Sequence, residues 1–290
     1  MKSLALLFAT FVALPGVAQT AVDQRRAASS DGVVEIENMA GSIRVTGWDK
    51  AEIVVGGKLG PGATGVELSG GQGRTHIEVD TEGNPMGVHS DLDVKVPAGS
   101  SLRIEGFEAS ITIAGMTGSV DAETVNGAIS LSGGAKEINL QVVNGGVDVS
   151  KASGRIRAES VNGAVNVRDS SGELEATTVN GAVSATGGQW RRVHLETTSG
   201  SVRFEGGLAK DGALEAETVS GSVDLLLPAS IVASFSISSF SGGIENEFGP
   251  EAARPSRWTK EKELSFNTGE GGATVSVQTL SGNVGLRKQH

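Results

Sequence analysis

The chain has 290 residues, a formal net charge of −10, 42 glycines, and neither cysteine nor tyrosine. The acidic balance argues against nucleic acid as a partner, because binding a phosphate backbone needs clustered Lys and Arg to displace counterions. The missing cysteines exclude disulfides and lipid attachment through a thiol, and the glycines lack the every-third-residue rhythm of collagen.

At the start, Lys2 precedes an apolar run from Leu4 to Leu14, which Pro15-Gly16 breaks before Ala18. That run is too short to cross a bilayer as a helix and has the plan of a secretory signal. Residues 1–18 are therefore expected to be a signal peptide, which places the protein in the periplasm, on the cell surface or outside the cell. No later stretch reads as a transmembrane segment. Residues 19–31 form a polar leader.

Alternation begins at once after it. Val34, Ile36, Ile43 and Val45 alternate with Glu35, Glu37, Ser42 and Arg44 around Ala40-Gly41, and Ile53 and Val55 continue the pattern. A period of two argues for strands with one buried face. The Gly-rich residues 56–75 read as a loop, and strands resume at His76–Val79 and Leu92–Val96.

From Ser119 to Gly188 one sentence recurs. Val-Asn-Gly stands at 125–127, 143–145, 161–163 and 179–181, so the asparagines fall at successive steps of 18. The first strand of each unit is expected to bury Val120 and Ala122, Ile138 and Leu140, Ile156 and Ala158, then Leu174 and Ala176. The second buries Ile129 and Leu131, Val147 and Val149, Val165 and Val167, then Val183 and Ala185. Second turns are placed at Gly133-Gly134, Ser153-Gly154, Ser171-Gly172 and Gly187-Gly188. The sentence then loosens: Ser-Gly fills the Asn-Gly place at 199–200, 220–221, 241–242 and 281–282. The last spacing is about two units, which marks residues 249–263 as a loop insertion.

Fixed-period self-similarity is the mark of stacked units. The expected fold is all-β, a single-stack β-solenoid over residues 32–290 with about 18–21 residues per coil, most regular over 119–225. The alternative is an antiparallel hairpin meander, since Asn-Gly is also a strong hairpin signal. Repetition of both turns and both strands favours the solenoid, in which equivalent residues lie one strand spacing apart, about 4.8 Å, and the asparagines stack.

These motifs resemble one family, the bacterial β-strand-repeat "putative adhesin" domain, also called toastrack. The resemblance rests on Glu37-Asn38-Met39-Ala40-Gly41-Ser42-Ile43-Arg44-Val45 leading into Gly47-Trp48-Asp49, and on Val94-Lys95-Val96-Pro97-Ala98-Gly99. It continues through the Val-Asn-Gly turns to Gly271-Gly272 and Val275–Gly282. It implies a β-helix-like solenoid on the bacterial envelope and no catalytic residues.

Chemistry-bearing motifs are sparse. Gly60-Pro61-Gly62-Ala63-Thr64-Gly65 matches G-x-G-x-x-G, but no helix follows to meet a pyrophosphate. Gly70-Gly71-Gln72-Gly73-Arg74-Thr75 lacks the Asp of a calcium β-roll turn. Stacking the coils puts Asp121, Asn139, Arg157, Glu175, His194 and Glu215 in one outer column. Glu123, Gln141, Glu159, Thr177, Glu196 and Glu217 form another. His194 with Glu175, Glu196, Glu215 and Glu217 is the candidate divalent-cation site, set against a merely solvated acidic face, and Arg157 should pair with Glu175. Trp48 and Trp190 are expected at coil corners. Arg254, Arg257, Trp258 and Lys260, in the insertion, are the candidate interaction residues.

No catalytic or cofactor-binding residue is expected, and no cofactor. The predicted function is an exported envelope module, structural or adhesin-like, that binds a protein or glycan. The rival readings are a β-helix enzyme acting on envelope polysaccharide and a metal-responsive accessory to envelope stress.

Overall fold

The structure, a computed structural model, describes residues 20–71, 73–81, 87–134, 136–253 and 261–289. The signal-peptide region and the cluster Arg254, Arg257, Trp258 and Lys260 lie outside the described residues.

The 18-residue repeat winds into two parallel ladders. Val120–Asn126, Glu137–Asn144, Ser153–Asn162 and Ser171–Asn180 form one, each strand pairing parallel with the next. Ile129–Ser132, Val147–Ser150 and Val165–Arg168 form the other. The longer Val183–Ser199 and Val202–Ser220 run through the corner and serve both. Register is like on like: Ile138 lies between Val120 and Ile156, and Leu140 between Ala122 and Ala158. Parallel pairing at one coil length makes the chain a β-solenoid. It rules out the hairpin meander, which would pair Val120–Asn126 antiparallel with Ile129–Ser132.

Alternate residues fill the interior. Ile138, Leu140, Val147 and Val149 are at most 1% exposed, and the same places are buried in every regular coil. Each such burial contributes about 1.5–3 kcal/mol. Where coils lengthen, Trp190 and Phe204 fill the added space. Trp190 lies fully buried near the corner, its indole N–H donating to the Gly187 carbonyl at 3.1 Å. Trp48 donates to the Glu52 carbonyl at 2.8 Å, beneath the Lys50 ammonium.

Three details hold the turns in register. Each asparagine amide donates to the asparagine one coil back: Asn144 to Asn126 at 2.9 Å, Asn162 to Asn144 at 3.0 Å and Asn180 to Asn162 at 2.9 Å. Behind them runs a column of buried hydroxyls that donate to main-chain carbonyls at the neighbouring turn. Thr124 reaches Ala109, Ser160 reaches Gly145, Thr178 reaches Gly163 and Thr197 reaches Gly181, each at 2.9 Å. The third detail is the glycine itself. Hairpin chemistry would want it for positive φ, yet Gly127, Gly163, Gly181, Gly200 and Gly282 have none. They are glycine because a β-carbon would collide with a main-chain carbonyl of the adjoining coil: Gly163 would meet Gly145, and Gly181 would meet Gly163. At this corner only Gly145, Gly221 and the equivalent Gly41 have positive φ, whereas left-handed backbone recurs at the other corner, at Gly115, Gly133, Lys151, Asp169 and Gly187. That corner precedes Ser153 and Ser171, which already begin strands.

The two ends depart from chain order. Val33–Trp48 stacks on Ser101–Ala114, and Arg74–Thr81 with Ser90–Pro97 lies outside it. At the other end Ala273–Ser281 and Val284–Gln289 slip between Val202–Pro228 and Ala233–Asn246, so Ser281 sits between Ser220 and Ser241. Antiparallel strands then close each end. Thr20–Ala27, within the polar leader, pairs with Glu52–Leu59, which pairs with Ser90–Pro97. Ala63–Ser69 covers Arg74–Thr81, and Lys262–Asn267 covers Ala233–Ser241. The expectation of a loop over 56–75 is thus corrected. Glycine thinned the alternation, but these strands bury one face only, and Gly57 lets the Asp91 main chain approach closely. Within the predicted insertion, Ala253 bridges Glu263, and Lys262 already begins a strand. Phe266 stacks on Phe235 at 4.6 Å and closes the core there.

Gly163→Ala is expected to cost about 3 kcal/mol in chemical denaturation. Gly71→Ala, where an added β-carbon meets no atom of the described residues within 4 Å, should stay within about 0.5 kcal/mol. Equal effects would remove the close-approach explanation.

Candidate functional site: the outer face of the long-strand ladder

Because register is exact along the stack, outward side chains form columns. Asp121, Asn139, Arg157, Glu175, His194 and Glu215 do line up, as do Glu123, Gln141, Glu159, Thr177, Glu196 and Glu217. The first column bonds lengthwise: Asn139 donates to Asp121 at 2.8 Å, and Arg157 lies 3.4 Å from Glu175. The closer partner of Arg157 is Glu159, two residues along its own strand, at 2.7 Å from its Nε. Such exposed pairs contribute about 0–1 kcal/mol each.

His194 is held by carboxylates on two sides, Glu215 at 3.1 Å from Nδ1 and Glu196 at 3.4 Å from Nε2. Glu217 stands in register with Glu196. Partial burial pushes the Glu217 carboxyl up from its ordinary value, the nearby Glu215 and Glu196 charges add to this, and His194 opposes it. Among the described residues, no group of three or more His, Asp or Glu side chains is arranged to hold a metal ion. The strand spacing brings the imidazole and carboxylates together as hydrogen-bonding neighbours on an open face rather than as a closed ligand cage.

A second such histidine escaped the sequence reading. His76, which falls outside the clean repeat, occupies the same column near the opposite end, beside Glu35. Its Nε2 lies 3.5 Å from Glu78 and 3.9 Å from Glu37. Arg74 forms a bidentate pair with Glu35 and holds that carboxyl below its ordinary value. The alternation of Thr75 and Ile77 inward with His76 and Glu78 outward carried the signal, but the inverted rung order concealed which column it joined.

A third column was also missed. The residue before each turn faces out: Met39, Phe107, Val125, Val143, Val161, Val179, Thr198, Val219, Leu280 and Phe240, in spatial order. Met39, Phe107, Val143, Val161, Val179, Val219, Leu280 and Phe240 are all exposed. An open groove runs between this ridge and the Glu123 column, with Glu159 and Glu196 on one wall and Val143, Val161 and Val179 on the other. A further groove carries the pairing on through Glu217, Val219, Phe240 and Leu280.

The architecture is that of a parallel β-solenoid whose side chains are displayed in straight outer columns. The chain matches the Toastrack DUF4097 family over residues 69–287 and belongs to it. Among solved structures it is similar to a "putative adhesin" from Parabacteroides distasonis ATCC 8503, at 8% identity and a TM-score of 0.42 over 94% of this chain and 98% of that one. A "putative adhesin" from Parabacteroides merdae ATCC 43184 gives 8% and 0.41 over 93% and 96%. A "putative lipid binding protein" from the same P. distasonis strain gives 12% and 0.36 over 92% and 96%. No curated protein matches the chain. Among the described residues, no helix is long and apolar enough to cross a membrane.

A carboxyl with a raised folded-state pKa folds best when protonated, so its stabilising contribution is full at low pH and is lost as pH rises through that pKa. Glu217→Gln should therefore raise the melting temperature at pH 7.5, by on the order of 1 °C. The difference should vanish near pH 3.5. Thermal melts at both pH values check this, and a lowered melting temperature at pH 7.5 would contradict it.

Proposed function

We propose that the chain is an exported module of the cell envelope that presents a rigid β-solenoid surface to a protein or glycan partner. It works by binding rather than by making or breaking bonds. The observation that supports this reading best is the outer face itself: a stacked backbone fixes its side chains in place, and its charged groups pair with one another in the open, as Arg103 does with Glu105 and Arg157 with Glu159 and Glu175. Acid–base catalysis needs a site that drives two pKa values apart and sheds water, whereas a fixed, solvated display suits recognition.

One observation favours the glycan-cleaving alternative. Glu196 and Glu217 face each other in adjacent rungs, and partial burial raises the Glu217 carboxyl above its ordinary value. Incubation with envelope polysaccharide separates the two. The binding reading expects no new reducing ends or unsaturated products from the wild-type protein. Products that disappear in Glu196→Gln or Glu217→Gln would establish the enzyme instead. The metal-responsive reading expects a melting temperature that moves with divalent cations and stops moving in His194→Ala. In cells, a photo-crosslinker at Val161 should capture a discrete envelope protein or glycan, and residues 1–30 should export a fused reporter. A reporter retained in the cytoplasm would remove the envelope assignment.

A further inference from the structure

We infer that the apolar ridge and the acidic column beside it form one docking strip for a polypeptide segment that carries lysine or arginine next to apolar side chains. The inference rests on the binding function proposed above and names its surface and partner chemistry.

The ridge is not a by-product of folding. Thr198 takes its place in one rung and keeps the register of its neighbours, with Thr197 paired to Thr178 and Thr218, and Ser199 to Asn180 and Ser220. A β-branched polar residue therefore meets every backbone requirement of the site. Yet valine, leucine or phenylalanine occupies the equivalent place in all the other rungs from Phe107 to Phe240, and most of these side chains are exposed. Eight rung spacings of about 4.8 Å make this an apolar line about 38 Å long. Exposed apolar side chains gathered into one such line, broken once by Thr198, form the kind of patch that is often functional.

The column alongside decides what covers it. Glu105, Glu123, Glu159, Glu196 and Glu217 flank the ridge, interrupted by the neutral Gln141, Thr177 and Gln278. Lys and Arg are absent from this column between Glu105 and Gln278. Among the described residues the arginines nearest it, Arg103 and Arg157, stand one column further out, paired with Glu105 and Glu159, and Asp121, Glu175 and Glu215 stand there with them, so the two columns hold eight carboxylates against two arginines. A partner lying over the ridge thus meets carboxylates along one side, and positive charge beside apolar groups complements both walls. A second copy of this chain fits less well. A like copy would bring a second line of carboxylates, Glu123, Glu159, Glu196 and Glu217, to the same contact. A neutral apolar partner would leave the excess carboxylates, Glu123 and Glu217 among them, without a counter-charge.

The test uses the exported chain and a fluorescein-labelled 14-residue peptide of alternating lysine and leucine, read by fluorescence anisotropy. Binding should weaken severalfold between low and physiological salt. It should weaken about tenfold in Val161→Thr/Val179→Thr, a change that copies Thr198 and should leave the circular dichroism unaltered. Asp148→Asn/Asp224→Asn, on the other ladder, should bind as wild type does. A glutamate–leucine peptide should bind at least about tenfold more weakly than the lysine–leucine one. Equal losses in the two double variants, or none in the valine pair, overturn the assignment while leaving crosslinks from Val161, and hence the binding reading, intact. Polysaccharide cleavage removes that reading itself. A dimer in sedimentation, or flotation with phosphatidylcholine vesicles, that the valine pair abolishes would assign the ridge to a second copy or to lipid and also overturn the inference.

Discussion

The solenoid depends on how closely neighbouring turns approach. Each turn glycine lies under a main-chain carbonyl of the adjoining coil, leaving no room for a β-carbon. In the same place the coils exchange a main-chain hydrogen bond, as from Gly145 N–H to the Asn162 carbonyl at 3.0 Å. The asparagine amides clasp outside this contact and the Thr or Ser hydroxyls inside it. A slip of one residue would put a side chain where only hydrogen fits and would also send every inward valine to the surface. Register is therefore fixed by sterics and burial together, and the flat columns of the outer face follow from it.

The same like-on-like rule creates a hazard at the ends, where an uncovered parallel edge would template another chain. The fold answers at both ends in the same way. The terminal rungs lie out of chain order, and antiparallel strands lie over them. At one end Thr20–Ala27 is the outermost strand and carries Asp23, Arg25 and Arg26, with Arg26 donating to the Leu68 carbonyl at 3.2 Å. At the other, Lys262 and Glu263 edge a strand whose Phe266 stacks on Phe235. Placing the last rung between two others also ties Ala273–Ser281 and Val284–Gln289 into the interior of the stack, so that fraying there needs several strands to separate together.

Where the period was strict, the sequence was legible to the residue. The inward positions from Val120 to Ala185, the asparagine stack and both outer columns could be read from an 18-residue step, because a solenoid converts spacing directly into adjacency. The ends were not legible, since rung inversion breaks the link between sequence distance and spatial distance. Ser220 and Ser281 are neighbours across 61 positions, and His76 joined a column to which no period pointed. Glycine misled twice. Over 56–75 it concealed capping strands, and in Val-Asn-Gly it kept the hairpin alternative open, although close approach of the adjoining coil is what all these turn glycines share. The ridge was overlooked because each valine, read alone, belongs to a turn motif; its continuity emerges only when the rungs are stacked.

A stacked repeat amplifies its outer choices. One valine per rung becomes an apolar line, and one glutamate per rung becomes a line of negative charge with neighbours about 4.8 Å apart. Unrelieved, such a line would destabilise the stack, and the sequence relieves it. Gln141 and Thr177 interrupt the carboxylates, while Arg157 and His194 lie against them from the adjoining column. Glu217, raised first by its partial burial and then by the Glu215 and Glu196 charges, shows what repulsion remains. The apolar line is interrupted only by Thr198 within the regular coils, although threonine would serve the backbone equally well in every rung. Repulsion has thus been trimmed column by column, whereas exposed apolar surface has been kept. That asymmetry is what a surface retained for recognition, rather than for stability, would produce.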